Sequence, residues 1–267
     1  MTIAIVGVGV MGEALLSGLL RAGTPGPDLL VCEKRAERAS ELTERYGVSV
    51  VPGTDQVARA ETVLLVVKPQ DMADVLTDLA PHLHAGQLVV SLAAGITTAF
   101  IEQHLPDGVA VVRVMPNTPA LVDEGMAAIS GGTHCDGAHL DRAEQLMRAT
   151  GRVLQVPEKY LDAVTAISGS GPAYLFFVVE AMIEAGVHLG LPRSTATELV
   201  VQTVVGSAKL LRETGEHPTV LRERVTSPGG TTAAAIRQLE DHKVRAAFIT
   251  AMEAARDRSR ELAAGSE

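Results

Sequence analysis

The chain has 267 residues, a formal net charge of −9, 46% hydrophobic residues, only 3% aromatic residues and no Trp. Such a length allows one large domain or two ordinary ones around an aliphatic core, and the acidic balance excludes a partner whose phosphates need a basic face, so no nucleic acid is expected. Cys32 and Cys135 are the only cysteines and share no C-x-x-C spacing, which excludes a disulfide framework and a zinc site; no metal is expected, and a reducing cytoplasm fits.

Residue 1 leads almost at once into the apolar run Ile3-Ala4-Ile5-Val6, which reads as a strand rather than a secretory signal. Up to residue 156, short β-branched runs alternate with helical patterns. Strands are predicted at 2–6, 29–33, 63–67, 88–91 and 109–114, with helices at 11–21, 35–46, 71–80 and 97–104 between them. Alternation of this kind indicates βαβ units and a parallel sheet. The strands are apolar throughout, as expected when helices cover both faces. Two further runs, 126–130 and 153–156, bracket a helix over 140–150 and extend the sheet at its edge.

After Pro157 the pattern turns helical. Helices are predicted over 161–166 running on through 173–189, then 193–213, 232–240 and 244–262. Gly190-Leu191-Pro192 separates the first from the second, with Gly past one helix end and Pro near the next start. The expected class is therefore α/β, a Rossmann-type mostly parallel sheet (residues 1–157) followed by an all-α domain (158–267). The apolar stretch 174–187 is interrupted by Glu180 and Glu184 and is too short to span a bilayer, so no membrane is expected. Helices 173–189 and 199–211 are apolar nearly all round and must be buried. About 110 residues offer too little interior for both, and a partner subunit is inferred to cover part of that surface.

Gly7-Val8-Gly9-Val10-Met11-Gly12 is a G-x-G-x-x-G between a strand and a helix, the dinucleotide-binding fingerprint in its proper context. Gly7 allows the tight turn, Gly9 lets the backbone approach a pyrophosphate, and Gly12 lets helix and strand pack closely. The second strand ends in Glu33-Lys34-Arg35. An acid there accepts from the ribose 2′-hydroxyl of NAD, and a basic residue pairs with the 2′-phosphate of NADP. Both chemistries are present, and Lys34 and Arg35 read equally as an ordinary solvated first turn, so cofactor preference stays open on these residues. Val67-Lys68-Pro69, the small residues around Ala93, and the Pro-flanked Asn117 end three more strands and line the crevice where open α/β sheets bind ligands.

In the helical half, Ser168-Gly169-Ser170-Gly171-Pro172-Ala173 opens the long apolar helix, and 225–232 opens a later one. Ser227, Gly229, Gly230, Thr231 and Thr232 there offer backbone N–H groups and hydroxyls at a helix N-terminus, an anion site suited to a carboxylate. The alternative is an ordinary Thr N-cap.

Taken together, 7–12, Val67-Lys68-Pro69, 113–119, 168–174 and 225–232 resemble the pyrroline-5-carboxylate reductases, in the right order over nearly the whole chain. Ser-Gly-Ser-Gly-Pro-Ala-Tyr and Thr-Ser-Pro-Gly-Gly-Thr-Thr are far more specific than the glycine loop. The resemblance implies a Rossmann domain plus a helical dimerisation domain, a homodimer, and dimers assembling into rings. It implies hydride transfer from NADPH to the C=N carbon of a cyclic imine, 1-pyrroline-5-carboxylate, giving L-proline. By motif position, Ser227, Gly229, Gly230, Thr231 and Thr232 hold the substrate carboxylate, and the Thr232 hydroxyl also approaches the ring nitrogen as the catalytic group. Gly7, Val8, Gly9, Val10, Met11, Gly12, Lys34, Arg35, Val67, Lys68, Pro69, Ala93 and Asn117 are the expected cofactor contacts. The segment 33–35 departs from the Ser/Asn/Arg-type phosphate cradle of many members, so NADH stays open beside NADPH.

A protonated imine is already an electrophile, so its reduction calls mostly for orientation of donor and acceptor; the absence of a Ser-His-Asp order or a metal cluster agrees. Two other readings compete. β-Hydroxyacid dehydrogenases share the layout but use a lysine on the helix after a turn like 168–171, and none of Lys34, Lys68, Lys159, Lys209 and Lys243 lies on the helix beginning at Ala173. A redox sensor that binds NAD(P)H without turnover would keep the glycine loop and have no need of the turn at 227–232.

Overall fold

The computed structural model describes residues 2–264, so the outer ends of the two expected domains (residue 1 and residues 265–267) lie outside the described residues. Eight strands form one sheet: β1 (Ile3–Val6), β2 (Leu29–Cys32), β3 (Ser49–Val51), β4 (Thr62–Leu65), β5 (Leu88–Ser91), β6 (Ala110–Met115), β7 (Gly125–Gly131) and β8 (Gly151–Gln155). Their order is β3-β2-β1-β4-β5-β6-β7-β8. All pairings are parallel except β6 with β7. In register, Ile5 lies between Val31 of β2 and Leu64 of β4.

Successive strand residues face opposite sides of a sheet, and both sides here are apolar. Ile3, Ile5, Leu64, Val90 and Val112 form one core layer with Leu15, Leu16 and Leu19 of α1 (Val10–Arg21), Leu42 of α2 (Ala36–Tyr46) and Ala143, Leu146 and Met147 of α6 (Gly137–Met147). Ala4, Val6, Val63, Leu65, Val89 and Val111 form the other. That layer is completed by Val57 of α3 (Thr54–Val57), Met72, Leu76 and Leu79 of α4 (Met72–Leu79) and Ile101 of α5 (Thr98–His104). Helices on both faces explain the continuous apolar strands. The sequence reading omitted β3 and α3, which have three and four residues and are too short to show a period.

Two compact units are present, one running to Ser170 and resuming at Ala254, the other Gly171–Glu253. In the first unit, β6 is tied to the helical segment that follows β8. Arg113 of β6, only 5% exposed, donates to Glu158 (3.2 Å). Glu158 also accepts from the Thr98 N–H (2.8 Å) and hydroxyl (2.6 Å) at the start of α5. The second unit holds α8 (Gly171–His188), α9 (Arg193–Thr214), α10 (Pro218–Arg224), α11 (Thr231–Asp241) and the start of α12 (Val244–Ala264). Within it, Gly186 lets α8 approach α9, because a Cβ there would meet the Ala196 Cβ at 2.9 Å. Arg193 grips Glu184 through two N–H groups at 2.7 and 3.2 Å. Helix α10 was not foreseen; its seven residues begin at Pro218 and carry three charged side chains, which masked its apolar positions.

One expectation is corrected. The chain is helical from Glu158 to His188 apart from a bend at Ser170, a run of 31 residues that is apolar enough to cross a membrane by length and composition. The expected continuation of 161–166 into 173–189 passes through a π-helical turn, Thr165–Gly169, just before the Ser170 bend. Length therefore does not exclude a span. What α8 does show is an unburied apolar surface: none of its residues is buried, and Phe176 and Phe177 are 65% and 72% exposed.

Candidate cofactor and substrate sites

The chain turns one way from β1 through β2 to β3 and the other way through β4 and β5. The crevice at that reversal, beyond the strands' carboxyl ends, is where such sheets bind ligands. The glycine loop lies there. Gly7 has φ of +88°, and a Cβ on it would strike the Val66 carbonyl at 2.8 Å and the Val67 side chain at 2.9 Å. A Cβ on Gly12 would overlap the Gly7 carbonyl. Gly9 differs: nothing lies within 4 Å of where its Cβ would be. Two glycines are needed by the fold, and the third opens on free space, which fits a pyrophosphate.

Gly9 is the N-cap of α1 and supplies no side-chain cap, and the first helical bond runs from the Glu13 N–H to the Gly9 carbonyl (2.9 Å). The N–H groups ahead of it have no intrahelical acceptor and suit an anion. Val8 is 1% exposed and belongs to the core, so only its backbone is available to a ligand. Val10 is exposed beside the open loop, while Met11 packs on the core. Val67 is half-buried, Lys68 and Pro69 are exposed at the end of β4, and Ala93 is buried after β5. Asn117 has less freedom than expected. Its amide nitrogen donates to the Ser168 carbonyl (3.2 Å), and its oxygen accepts from the Met126 N–H (2.7 Å). The side chain latches the β6 exit to β7 and to the 168 turn.

At the end of β2, Glu33 is 8% exposed and Arg35 70%. The Glu33 carboxylate accepts from the Arg35 backbone N–H (2.9 Å), Nε (3.0 Å) and Nη2 (3.1 Å). Those bonds from Arg35 hold the Glu33 carboxyl below its ordinary range against the opposing effect of burial. Lys34 lies 4.0 Å from Asp78. Next to this edge, Glu13 of α1 receives Arg38, Arg45 (2.9 Å) and the Tyr46 hydroxyl (2.8 Å) from α2. Desolvation alone would raise the Glu13 carboxyl, but the Tyr46 and Arg38 bonds outweigh it and the net direction is down.

In the second unit, Gly229 has φ of +70° and Gly230 is the N-cap of α11, with no side-chain cap. The alternative of an ordinary Thr N-cap therefore does not hold. Thr231 and Thr232 are the first two helical residues, and the first helical bond is Ala234 N–H to the Gly230 carbonyl (3.2 Å). Gly230 donates its own N–H to the Ser227 carbonyl (3.0 Å), and a Cβ on it would overlap the Ser227 hydroxyl. Ser227, Gly229, Gly230, Thr231 and Thr232 thus form one turn, in which the Thr231 and Thr232 amides at the start of α11 have no intrahelical acceptor.

The structure brings forward Glu158, to which the sequence assigns no role, and gives Ser168 of the Ser/Gly run a partner that the sequence does not show. Glu158 is the acid that neutralises Arg113, and Ser168 receives Asn117. No spacing signals either pairing, since the partners are 45 and 51 residues apart.

Two family models match segments of the chain. Residues 158–262 match the model described as pyrroline-5-carboxylate reductase dimerisation. Residues 2–95 match the model described as NADP oxidoreductase coenzyme F420-dependent. A pyrroline-5-carboxylate reductase of Corynebacterium melassecola is 47% identical over 265 residues, 98% of each chain. The structure of a pyrroline-5-carboxylate reductase from Coxiella burnetii superposes with a TM-score of 0.93 at 38% identity, covering 98% of both chains. That of a Plasmodium falciparum pyrroline carboxylate reductase with NADP bound gives 0.88 at 28%, with the same coverage. With its glycine cradle, its capless α11 turn and these relatives end to end, the chain belongs to the pyrroline-5-carboxylate reductase family.

Proposed function

We propose that the chain reduces the C=N bond of 1-pyrroline-5-carboxylate to L-proline with NADPH, the substrate carboxylate resting on the α11 N-terminus and the dinucleotide on the α1 N-terminus. The observation that carries the substrate assignment is the N-terminus of α11: a glycine N-cap without a side-chain cap, followed by two hydroxyl-bearing residues. Amides with no intrahelical acceptor and the positive end of the helix dipole favour a carboxylate. NADPH, when bound, supplies a hydride for the imine carbon. The imine is protonated on nitrogen before transfer, so hydride addition at carbon leaves the amine N–H in place, and the Thr232 hydroxyl is the group we assign beside that nitrogen. Ser227, Gly229, Gly230 and Thr231 orient the substrate. Gly7, Val8, Gly9, Val10, Met11 and Gly12 hold the pyrophosphate, Val8 through its backbone. Lys34 and Arg35 meet the 2′-phosphate, and Val67, Lys68, Pro69, Ala93 and Asn117 wall the nicotinamide end, Asn117 chiefly by fixing the loop. Rate enhancement comes from orientation of donor and acceptor.

We retain 1–157 and 158–267 as the functional division between dinucleotide-binding and substrate-binding parts. We also infer a cytoplasmic enzyme whose homodimers assemble into a ring; the unburied apolar surface of α8 and α9 supports the self-association in that reading.

The test follows NADPH consumption with 1-pyrroline-5-carboxylate for wild type and Thr232→Ala. Turnover that falls about a hundredfold in the variant, the scale of a lost orienting contact at the reacting centre, is the expected result. A folded protein that binds NADPH and turns over nothing overturns the reading and restores the sensor.

A further inference from the structure

We propose that Glu33 and Arg35 form a built-in cofactor selector: Arg35 masks the carboxylate that would accept the ribose 2′-hydroxyl of NADH, and the same contact aims its guanidinium at the 2′-phosphate of NADPH. The inference rests on the reading of the glycine loop as a dinucleotide cradle.

Glu33 directly follows β2, the place where an acid confers NAD binding. Left bare, it would accept the two ribose hydroxyls and repel a 2′-phosphate. It is not bare. Oε1 takes the Arg35 N–H and Nε, Oε2 takes Nη2, and the carboxylate is 8% exposed beneath an arginine that is 70% exposed. The pair is net neutral, so the repulsion toward phosphate is cancelled. The fork leaves Nη1 without a Glu33 bond. Arg35 is also the N-cap of α2 and gives it no side-chain cap; the first helical bond is Ala39 N–H to the Arg35 carbonyl (2.9 Å). A phosphate at this edge would meet a guanidinium edge and free helix amides together.

Neighbouring cations are placed differently. Arg38 is held between Glu13 and Glu41, Arg45 reaches Glu13, and Lys34 leans toward Asp78. Arg35 is the cation whose position is fixed by the very carboxylate it conceals. Glu33 is thus a positioning residue, and Arg35 determines specificity.

The experiment measures dissociation constants of NADP⁺ and NAD⁺ by calorimetry for wild type, Arg35→Ala, Glu33→Gln and the double variant, with thermal melts alongside. For Arg35→Ala, NADP⁺ should weaken about tenfold or more, the scale of one lost charge-assisted phosphate contact. NAD⁺ should tighten as Glu33 is uncovered. For Glu33→Gln, NADP⁺ should weaken about threefold through loss of a charged anchor, with no gain for NAD⁺. In the double variant the NAD⁺ gain should vanish, because it needs the freed carboxylate. A ratio of the two constants unchanged in Arg35→Ala, or an NAD⁺ gain that survives in the double variant, overturns the selector. Wild-type protein that binds neither dinucleotide overturns the cradle itself, a different failure.

Discussion

Three glycines in one six-residue loop do different work, and substitutions separate them. Gly9→Ala places a methyl group in open space at an ordinary negative φ of −75°, so the protein should melt like wild type. NADPH should nevertheless bind at least about tenfold more weakly, because the backbone no longer approaches the pyrophosphate. Gly12→Ala drives a methyl into the Gly7 carbonyl and should lower stability by about 1–3 kcal/mol, the usual overpacking cost. Melting curves and cofactor titrations of the two variants test this, and loss of stability in Gly9→Ala would refute the division of roles. The glycine loop was legible from spacing alone because each glycine answers a local backbone demand. Asn117 was only half legible. Its place at a strand end was clear, but its amide is committed to Ser168 and Met126, partners 51 and 9 residues away that no local pattern announces.

At the scale of elements, buried and half-buried charges join pieces whose apolar patterns say nothing about pairing. Arg113 is nearly inaccessible and Glu158 is its ion partner, so Glu158→Ala would leave a buried cation uncompensated. Removing one member of such a pair costs about 3 kcal/mol or more, and the Thr98 N–H and hydroxyl would lose their acceptor as well. Denaturant unfolding should show that loss, while the isosteric Glu158→Gln should recover part of it by keeping the hydrogen bonds. Glu13 joins α1 to α2 in a pH-dependent way. Its carboxyl titrates lower in the folded chain than the ordinary 4.5, held down by Tyr46 and Arg38 against the effect of burial. Below 4.5 the unfolded chain therefore binds more protons than the folded one, and this contribution is present above that value and lost as the pH falls. Stability measured from neutral pH down through 4 should fall more steeply in wild type than in Glu13→Gln; parallel curves would count against it. The placement of the longer strands and helices was readable because two-sided burial writes continuous apolar runs into the sequence. β3, α3 and α10 were not, since three to seven residues give too few repeats for a period to emerge.

For the whole molecule, the strongest constraint is surface that a single chain leaves uncovered. In α8 none of the residues is buried, and in α9 only Ala196 is. A soluble monomer rarely exposes a continuous apolar face of this extent. The run is long and apolar enough for a membrane, but it falls inside the segment 158–262 that matches a dimerisation domain, and self-association accounts for it directly. Both Glu180 and Glu184 lie on α8, and Glu184 is paired with Arg193 of α9 within the same unit, an arrangement suited to a protein interface with a polar rim rather than to lipid. Phe176 and Phe177 are the largest apolar side chains on α8, at 65% and 72% exposure, and aromatic residues of this kind carry much of the energy of such interfaces. Phe177→Asp should therefore weaken association by about 2 kcal/mol or more, a shift of roughly thirtyfold in the dissociation constant. Sedimentation across a dilution series reads this directly, with Phe177→Leu expected to stay close to wild type because it keeps an apolar contact. An aspartate variant that sediments like wild type at every concentration would place the interface elsewhere on the helical half. If the variant instead becomes a folded monomer with melting behaviour preserved in the sheet unit, the apolar faces of α8 and α9 are the surface the assembly is built on, and the helical half owes its stability to the partner more than to its own core.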